Sequence, residues 1–595
     1  MRETPGAFAA GGAPQAKPGL AMDFSQFQYS QEGQLLQASS LAALVNRFRG
    51  MEGVINMSAG LPCPTSFPLA SFSATTNPTT SPSSSTASAD GHATHLEPPL
   101  YGLASQRPRP WYQFRLPNSS PPAPSSSHHL TNDTSTSPAA AVPSHQQGNG
   151  VKSNGTLHPP LSHAHPASTN GVSHVGVAAQ SNGATSLANG GAAASQQQQQ
   201  HQQQQQEEGV QGSGLLHVSG QLASDAQQYM FHSGHPPLLQ WTRTIVDACH
   251  APPRPTQCVA TAGAVHALQA AVQCLCDPGD FIICEEFAYT HAPECVFTPR
   301  GLHMLPVAVD EQGMVPDALL RVLQTAGVSK VTGRPPRVIY IIPTGQNPTG
   351  ADMGVERKRA IYEICRAYNL VILEDDAYYW LQFPHGAQPD SQQPGLCLPP
   401  SLLSFDVDGR VLRIDTFAKI LGPGYRLGWI TAPPPLAAKM AVAVQASCCG
   451  PASISQVVIS ELLNMWGLDG FEAFVRKQQA MYARRCAVAS SAAREHLKGL
   501  VTFEEPTAGM FMWFKLTGLP DFGPEVVEEL VAAKVVVVPG KPFWTAPSAS
   551  DAGAPCPYFR TTFGSVKEDQ LQEGFARLGS ALKAAESKKL SHTAN

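Results

Sequence analysis

Three nearly continuous apolar runs constrain the fold of this chain more than any other feature. They are RVIYIIP (337–343), NLVILEDD (369–376) and GRVLRIDTF (409–417). Strands of this composition are buried on both faces, as in a parallel sheet that is covered by helices on each side. Because helical segments alternate with these runs, we predict an α/β fold with a mostly parallel central sheet in a large domain.

The segment from Thr261 shows this alternation on a small scale. Thr261 is predicted to cap the Ala-rich helix GAVHALQAAVQCL (263–275). The sequence DPGD then turns the chain, and FIIC (281–284) is predicted to be a buried strand.

Composition divides the 595 residues into parts that can and cannot pack. Residues 79–212 hold Ser/Pro-rich stretches and glutamine runs with too few large apolar side chains to offset the entropy cost of ordering, so we predict a disordered insertion. After about Trp466 a long helix, short strands and a final helix predict a smaller α+β domain. The predicted boundaries are 1–21 for a disordered N-terminal extension, 22–78 for an N-terminal segment that joins the small domain, 79–212 for the insertion, 213–465 for the large domain, 466–590 for the small C-terminal domain and 591–595 for a tail.

Charge and cysteine content favour a small-molecule partner. The formal net charge is -5 and no Lys/Arg cluster indicates a nucleic-acid or acidic-membrane surface. No run of about 18 uncharged apolar residues predicts a membrane span. The 13 cysteines have no metal-site or disulfide spacing, so we expect reduced thiols and no bound metal. We expect a soluble, cytoplasmic protein; an organelle transit peptide is less well supported, because basic residues near the N-terminus are few and Glu3 is acidic.

Four strand ends and their loops carry the candidate chemistry, because ligands bind beyond the carboxyl ends of parallel strands. Lys419 ends one of them, where desolvation favours a neutral amine that can condense with an aldehyde. Thr416 and Arg426 lie close by in sequence and can bind an anion, and the helix that starts after Thr261 offers free backbone N–H groups to a phosphate. A phosphorylated aldehyde would use all of these groups.

A second group of side chains suits an aromatic ring. Asp375 can pair with a protonated ring nitrogen, Tyr378 and Asn347 can donate hydrogen bonds to a phenolic oxygen, and Tyr289 can stack on a flat ring. Taken singly, each has a simpler explanation: lysines usually lie on the surface, aspartates cap helices and tyrosines fill cores. Only the combination predicts a site.

The ordered set of a Lys after TFA, an Arg seven residues later, NPTG and Asp-x-x-Tyr resembles the fold-type I, class I aminotransferases that depend on pyridoxal 5'-phosphate. The motifs INMSAGLPCPTSFP, SFDVDGRVLRIDTFAKI, AGMFMWFK and PYFRTTF resemble the subgroup that includes 2-aminoadipate, kynurenine and aromatic amino acid aminotransferases. This resemblance implies ping-pong transfer of an α-amino group to a 2-oxo acid such as 2-oxoglutarate. It also implies a homodimer.

The resemblance implies a role for each matching residue. Lys419 and Asp375 are implied to be catalytic. The implied cofactor site consists of these two residues with Asn347, Tyr378, Tyr289, Thr416, Arg426, Gly263, Ala264, Val265 and, from a second subunit, Tyr229. The implied substrate site consists of Arg560, which would clamp the α-carboxylate, with Asn347, Gly60, Leu61, Phe511 and Tyr229.

One departure from the family pattern affects the phosphate. Relatives carry Ser-Gln where this chain has Ala264 and Val265, so only backbone N–H groups remain there and cofactor affinity is expected to be weaker. One hydrogen bond to a charged group contributes ~1.5 to 3 kcal/mol. A carbon–sulfur lyase or decarboxylase of the same fold is the alternative function, and a non-catalytic interaction protein is a further one.

Overall fold

A computed structural model describes residues 47–48, 51–63, 66–69, 216–326, 332–383, 398–545 and 553–593. The predicted N-terminal extension and the predicted insertion at 79–212 lie outside these described residues.

The described chain alternates helices and strands as predicted for its α/β part. The strands are β1 (Ile55–Asn56), β2 (Gln257–Thr261), β3 (Phe281–Glu285), β4 (His303–Val307), β5 (Val309–Asp310), β6 (Gly313–Met314), β7 (Val338–Ile341), β8 (Val371–Asp375), β9 (Val411–Thr416), β10 (Gly428–Ala432), β11 (Val501–Thr502), β12 (Phe511–Leu516), β13 (Val535–Val536), β14 (Val538–Pro539) and β15 (Tyr558–Thr562). The α-helices are α1 (Gly220–Asp225), α2 (Pro236–His250), α3 (Ala264–Leu275), α4 (Pro316–Thr325), α5 (Val355–Ala367), α6 (Pro434–Cys448), α7 (Ser453–His496), α8 (Pro524–Ala532) and α9 (Glu568–Thr593). A π-helical turn spans Ala292–Phe297, and 3-10 turns span Leu402–Phe405, Pro423–Tyr425 and Lys541–Phe543.

The larger sheet confirms the predicted parallel architecture. Its strand order is β2-β10-β9-β8-β7-β3-β4, and β10 alone runs antiparallel to its neighbours. Every residue of β7 and β9 is buried, because helices pack on both faces. Successive residues face opposite sides of the sheet: Ile339 belongs to one apolar core and Tyr340 to the other.

The prediction that Thr261 caps the following helix is wrong. Thr261 is the last residue of β2, and its hydroxyl donates to the carbonyl of Gly263 at 3.2 Å instead of accepting from the helix. The N-cap is Gly263, which has a φ of 91° that favours glycine. Helix α3 therefore begins without a side-chain cap.

The smaller sheet contains the C-terminal strands. Its order is β11-β12-β15-β14, with antiparallel pairing throughout, and β1 pairs with β13 in parallel. Helix α7 starts earlier than the predicted residue 471 and breaks at Gly467, where φ is 63°. The domain boundary predicted at 466 lies at this break and stays a prediction. Helix α9 continues into the predicted tail.

The loops of the two sheets meet at a pair of glycines. A Cβ on Gly345, which follows β7, would lie 2.7 Å from the Cα of Gly509, which precedes β12. The backbone of Gly509 also donates to the carbonyl of Leu381 at 2.9 Å. Close approach of these loops brings residues of the small sheet to the carboxyl ends of the large one.

Three further properties concern the described residues only. None of their helices combines the length and the hydropathy that a bilayer crossing requires. Within the same ranges, no group of three or more His, Cys, Asp or Glu side chains is placed to hold a metal ion, and no disulfide joins the cysteines.

We predict that Gly428→Ala destabilises the fold under the candidate site. A Cβ at Gly428 would lie 2.5 Å from the carbonyl oxygen of Asp415 and 3.2 Å from the Cα of Gly263, and both are backbone atoms that side-chain rotation cannot move away. Overpacking of this kind costs about 1 to 3 kcal/mol. Urea unfolding followed by tryptophan fluorescence measures the loss. Gly424→Ala is the matched control, because no atom lies within 4 Å of a Cβ there; equal stability of both variants would contradict the prediction.

Candidate active site

A cavity of about 230 Å³ lies at the carboxyl ends of the central strands. Asp375 ends β8, Thr416 ends β9, Asn347 follows β7, and Ala264 begins the helix after β2. The cavity is lined by Gly60, Ala264, Val265, Tyr289, His291, Ile342, Asn347, Asp375, Ala377, Tyr378, Thr416, Ala418, Lys419, Arg426, Phe511 and Arg560. Most of the residues singled out in the sequence therefore lie around one space.

Lys419 presents a buried amine to this cavity. Its Nζ donates to the carbonyl of Gly60 at 2.8 Å and lies 5.8 Å from the centre of the Tyr378 ring. Burial, reinforced by the positive charges of Arg560 and Arg426, lowers the pKa of Lys419 to about 8. A pKa of about 8 leaves roughly a tenth of the amine neutral at pH 7, far more than in an exposed lysine, and the neutral form is the one that can act as a nucleophile or a general base.

Asp375 has one carboxylate oxygen satisfied and one free. The hydroxyl of Tyr340 donates to Oδ2 at 2.8 Å, whereas Oδ1 is buried and has no hydrogen-bond partner among the described residues. Burial raises the pKa of Asp375 to about 6, and the Tyr340 hydrogen bond opposes this shift. An unpaired buried carboxylate oxygen is costly, and a protonated ring nitrogen is a donor that would satisfy it. This atom fits the pyridine end of pyridoxal 5'-phosphate.

The opposite end of the cavity suits an anion. Arg426, held in a left-handed conformation with φ 48°, donates through Nη1 to the carbonyl of Pro423 and through Nη2 to that of Ala262. Its guanidinium passes so close to Gly263 that a Cβ there would lie 2.9 Å from Nη2. The first N–H groups of α3 have no partner within the helix, and the helix dipole favours negative charge there. These groups fit a phosphate.

Arg560 approaches from β15 in the smaller sheet. Nη1 donates to Oδ1 of Asn347 at 2.5 Å and Nη2 to the carbonyl of Ser58 at 2.8 Å, while Nε has no partner among the described residues. The Phe511 ring lies 4.1 Å from the guanidinium carbon. Burial lowers the pKa of Arg560 to about 10, so the group stays charged at neutral pH and can bind a carboxylate.

Asn347 and Tyr378 are joined on the same side of the cavity. The Asn347 oxygen accepts from Arg560, so its amide N–H group is left to donate to the hydroxyl oxygen of Tyr378. Burial raises the pKa of Tyr378 above its ordinary value, and that hydroxyl remains a neutral donor. Tyr289 lies at the cavity wall, stacked at 4.9 Å on His291.

Three candidate residues do not line this cavity. Gly263 lies behind it, beside the Arg426 guanidinium. Leu61 is 51% exposed, because this residue lies on the outer side of the segment whose Gly60 faces the cavity. Tyr229 is 85% exposed and lines a separate groove of about 810 Å³.

The sequence also gave no indication of two side chains that matter here. Tyr340, which orients Asp375, lies inside an apolar strand, where a tyrosine is expected to fill the core. His291 follows Tyr289 by two residues in the same loop, and this proximity was the only signal that could have identified it. The other unpredicted lining residues are small or apolar neighbours of predicted ones: Ile342, Ala377 and Ala418.

Comparison with known proteins agrees with this geometry. The family described as Aminotransferase class I and II matches residues 194–578. The bovine (Bos taurus) mitochondrial kynurenine/alpha-aminoadipate aminotransferase is 35% identical over 380 residues, which are 62% of this chain and 85% of that protein. An L-tyrosine:2-oxoglutarate aminotransferase of Serpula lacrymans is 37% identical over 280 residues, 45% of this chain and 53% of that one.

A solved structure gives the same result. The kynurenine aminotransferase of Pyrococcus horikoshii, in complex with PMP, with KYN as substrates and KYA as products, has a TM-score of 0.54 and 26% identity, covering 61% of this chain and 83% of that one. The sequence match extends over more than half of the chain and includes every element that contributes to the cavity from β2 onward. We conclude that the chain belongs to the aminotransferase class I and II family, and is an enzyme of fold type I that depends on pyridoxal 5'-phosphate.

Proposed function

We propose that this enzyme transfers the α-amino group of an aromatic amino acid, kynurenine or 2-aminoadipate to a 2-oxo acid such as 2-oxoglutarate by a ping-pong mechanism. The activities in the names of the bovine and Serpula lacrymans relatives support these substrates. The observation that carries the proposal is the buried Lys419 amine in one cavity with Asp375, whose Oδ1 lacks a partner among the described residues.

Lys419 is proposed to hold the cofactor and to move the substrate proton. Bound pyridoxal 5'-phosphate supplies an electron sink for the electron pair of the substrate Cα–H bond. The Lys419 amine, whose pKa is lowered to about 8 by burial and two arginines, can take the proton from Cα and carry it as an ammonium. A surface lysine would be protonated and could not act as this base.

Asp375 is proposed to keep the ring nitrogen protonated. Oδ1 supplies the acceptor, and Tyr340 fixes the carboxylate by donating to Oδ2. A cation at Oδ1 favours the ionised form, so binding is expected to reverse the rise in the pKa of Asp375 that burial causes. The Asp375 carboxylate and the protonated ring nitrogen would then form an ion pair that is buried away from water.

The remaining roles follow from position in the cavity. Arg560 is proposed to bind the substrate α-carboxylate with its remaining N–H groups. Asn347 and Tyr378 are proposed to hold the phenolic oxygen and Tyr289 to stack on the ring. At the anion end, Arg426, Thr416 and the turn at Gly263, Ala264 and Val265 are proposed to hold the phosphate, while Gly60 and Phe511 shape the substrate side and Leu61 lies at its rim.

We predict that single amino acids convert the cofactor of the purified enzyme from its aldehyde to its amine form. Kynurenine, 2-aminoadipate and aromatic amino acids are expected to react, and 2-oxoglutarate is expected to restore the aldehyde form. The cofactor absorbance band measures both half-reactions. Release of carbon dioxide, or of sulfide from sulfur amino acids, without the amine form would contradict transamination and favour a decarboxylase or lyase.

Two variants control this measurement. Lys419→Ala is expected to slow the half-reaction by about 10³-fold, since general acid–base catalysis contributes 10²–10⁴, and borohydride treatment should attach the cofactor to Lys419 in the wild type only. Arg560→Lys should keep the cofactor band but need about tenfold more amino acid, because an ammonium lacks the planar fork. Turnover of Lys419→Ala at the wild-type rate would contradict the proposed function.

We predict that the cofactor-free protein takes up pyridoxal 5'-phosphate at a rate that rises with pH around a midpoint near 8, where Lys419 loses its proton, and not near 10.5. The Asp375 carboxylate favours the ammonium, so Asp375→Asn should shift the midpoint down. The Arg560 charge disfavours the ammonium, so Arg560→Gln should shift it up. Stopped-flow absorbance measures the rates relative to wild type, and shifts of the opposite signs would refute this account.

We also propose a homodimer in which Tyr229 reaches the phosphate of the second subunit. Tyr229 and Phe231 are 85% and 69% exposed beside the groove of about 810 Å³. Exposed aromatic side chains around a large groove are typical of an interaction surface. For the compartment we propose the cytoplasm; the name of the bovine relative makes a mitochondrion the alternative.

We predict a solution mass of twice 63.1 kDa by light scattering. Tyr229→Phe removes one hydroxyl and is expected to weaken cofactor binding about 10- to 100-fold, since a hydrogen bond to a charged group is lost. Tyr368→Phe is the matched control, because Tyr368 is exposed on helix α5's end and lies outside the groove. A monomer, or a Tyr229→Phe variant with wild-type affinity, would contradict the shared site.

A further inference from the structure

The turn that begins helix α3 has no side-chain donor for a phosphate. Its N-cap is Gly263, and the first two helical residues are Ala264 and Val265. A phosphate bound here depends on backbone N–H groups, and their directions decide how well they converge on the anion. Interactions that fix this turn therefore affect the cofactor directly.

The turn is held at both polar backbone atoms of Ala262. The N–H group of Ala262 donates to Nδ1 of His266 at 3.0 Å, and its carbonyl accepts from Nη2 of Arg426 at 3.3 Å. His266 is the third residue of α3, and its side chain reaches back over the helix start. Side chains at the third helical position commonly accept a hydrogen bond from a backbone N–H group there. The backbone of one residue, Ala262, thus connects His266 with the arginine of the anion end.

The hydrogen bonds of His266 determine its tautomer. Because Nδ1 accepts from an N–H group, the neutral ring carries its proton on Nε2, which donates to Oγ of Ser447 at 2.6 Å. Ser447 donates in turn to the carbonyl of Val444 at 3.0 Å. This chain of bonds anchors the turn to the end of helix α6. It also rules out a nucleophilic Ser447, because Nε2 already holds the proton that a base would have to accept.

We propose that His266 is a positioning residue for the cofactor phosphate, which holds the Ala262 peptide so that the N–H groups at the start of α3 converge on the anion. It does so in a chain that lacks hydroxyl and amide side chains at positions 264 and 265. The inference rests on the proposed function, in which this turn receives the phosphate. His266 itself lies behind the turn and does not line the cavity of Lys419.

Protonation of His266 removes the acceptor. Burial lowers the pKa of His266 below 6.5, so Nδ1 is unprotonated at neutral pH. The titratable groups that face the ring are Cys448, whose Sγ lies 3.9 Å from Nε2, and Cys295 and Arg300 across a small cavity. Among the described residues, no carboxylate lines that cavity. As the pH falls through the lowered pKa, Nδ1 gains a hydrogen that opposes the Ala262 N–H group, and phosphate affinity decreases.

The test compares binding of pyridoxal 5'-phosphate and of pyridoxal, which lacks the phosphate, to cofactor-free full-length protein. His266→Leu is expected to weaken pyridoxal 5'-phosphate binding about tenfold, roughly one hydrogen bond, and to leave pyridoxal binding unchanged. His266→Asn is the matched variant, because its Oδ1 takes the place of Nδ1 as acceptor but does not titrate. It should bind within about threefold of wild type. Its affinity relative to wild type should rise as the pH is lowered from neutral through the lowered pKa of His266, since titration of the phosphate is common to both.

Several outcomes would overturn the inference. One is that His266→Leu binds pyridoxal 5'-phosphate as tightly as wild type, and another is that it loses as much affinity for pyridoxal. The others are that His266→Asn fails to restore binding, or that the ratio of its affinity to that of wild type stays constant across pH. Melting temperatures of the cofactor-free proteins show whether the Leu variant folds. If the Leu variant does not fold, the pH dependence of cofactor affinity in His266→Asn, measured relative to wild type, tests the inference in its place. Failure of the wild type to bind the cofactor at Lys419 would instead overturn the proposed function.

Discussion

The pairing of Arg413 with acidic side chains on two adjacent strands is the constraint on which the site depends. The fully buried guanidinium lies 2.8 Å from Asp376, 2.9 Å from Asp415 and 3.4 Å from Glu374. Removal of one partner from such a cluster leaves an uncompensated charge in a medium of low dielectric constant. The cluster therefore secures the register in which Glu374 faces Arg413 and Asp375 faces Ile414. Because successive side chains alternate across a strand, Asp375 points to the opposite face, where Tyr340 meets it.

The site is completed by contact between the two sheets. Arg560 belongs to β15, more than 200 residues from Asn347 in sequence, and reaches it because the loops at Gly345 and Gly509 pack without side chains between them. Three cationic side chains, Lys419, Arg426 and Arg560, then surround one cavity. Burial and the charges of Arg560 and Arg426 lower the pKa of Lys419. The positive charges around the cavity favour anions, which suits a phosphate at one end and a carboxylate at the other.

Much of the site could be predicted from the chain because each strand end adjoins its functional residue. Lys419, Asp375 and Asn347 follow apolar runs, and the carboxyl ends of parallel strands meet at one edge. Tyr340 could not be predicted in this way, since its contact with Asp375 depends on the pairing of β7 with β8. The capping prediction for Thr261 was wrong for a different, local reason: β2 ends at Thr261, the positive φ of Gly263 makes that glycine the N-cap, and His266 reaches back to the turn.

The amino-acid sequence alone determined the α/β class, the family and the residue types at the strand ends, because hydrophobic periodicity and motif spacing are local properties of the chain. The tertiary structure alone decided which polar atoms are left unpaired and which charges are desolvated. Burial changes the protonation of Lys419 and Asp375 in opposite directions, and that burial comes from segments distant in sequence. The same holds for the anchoring of His266, whose Nε2 bonds to a serine about 180 residues away, a distance that only folding closes.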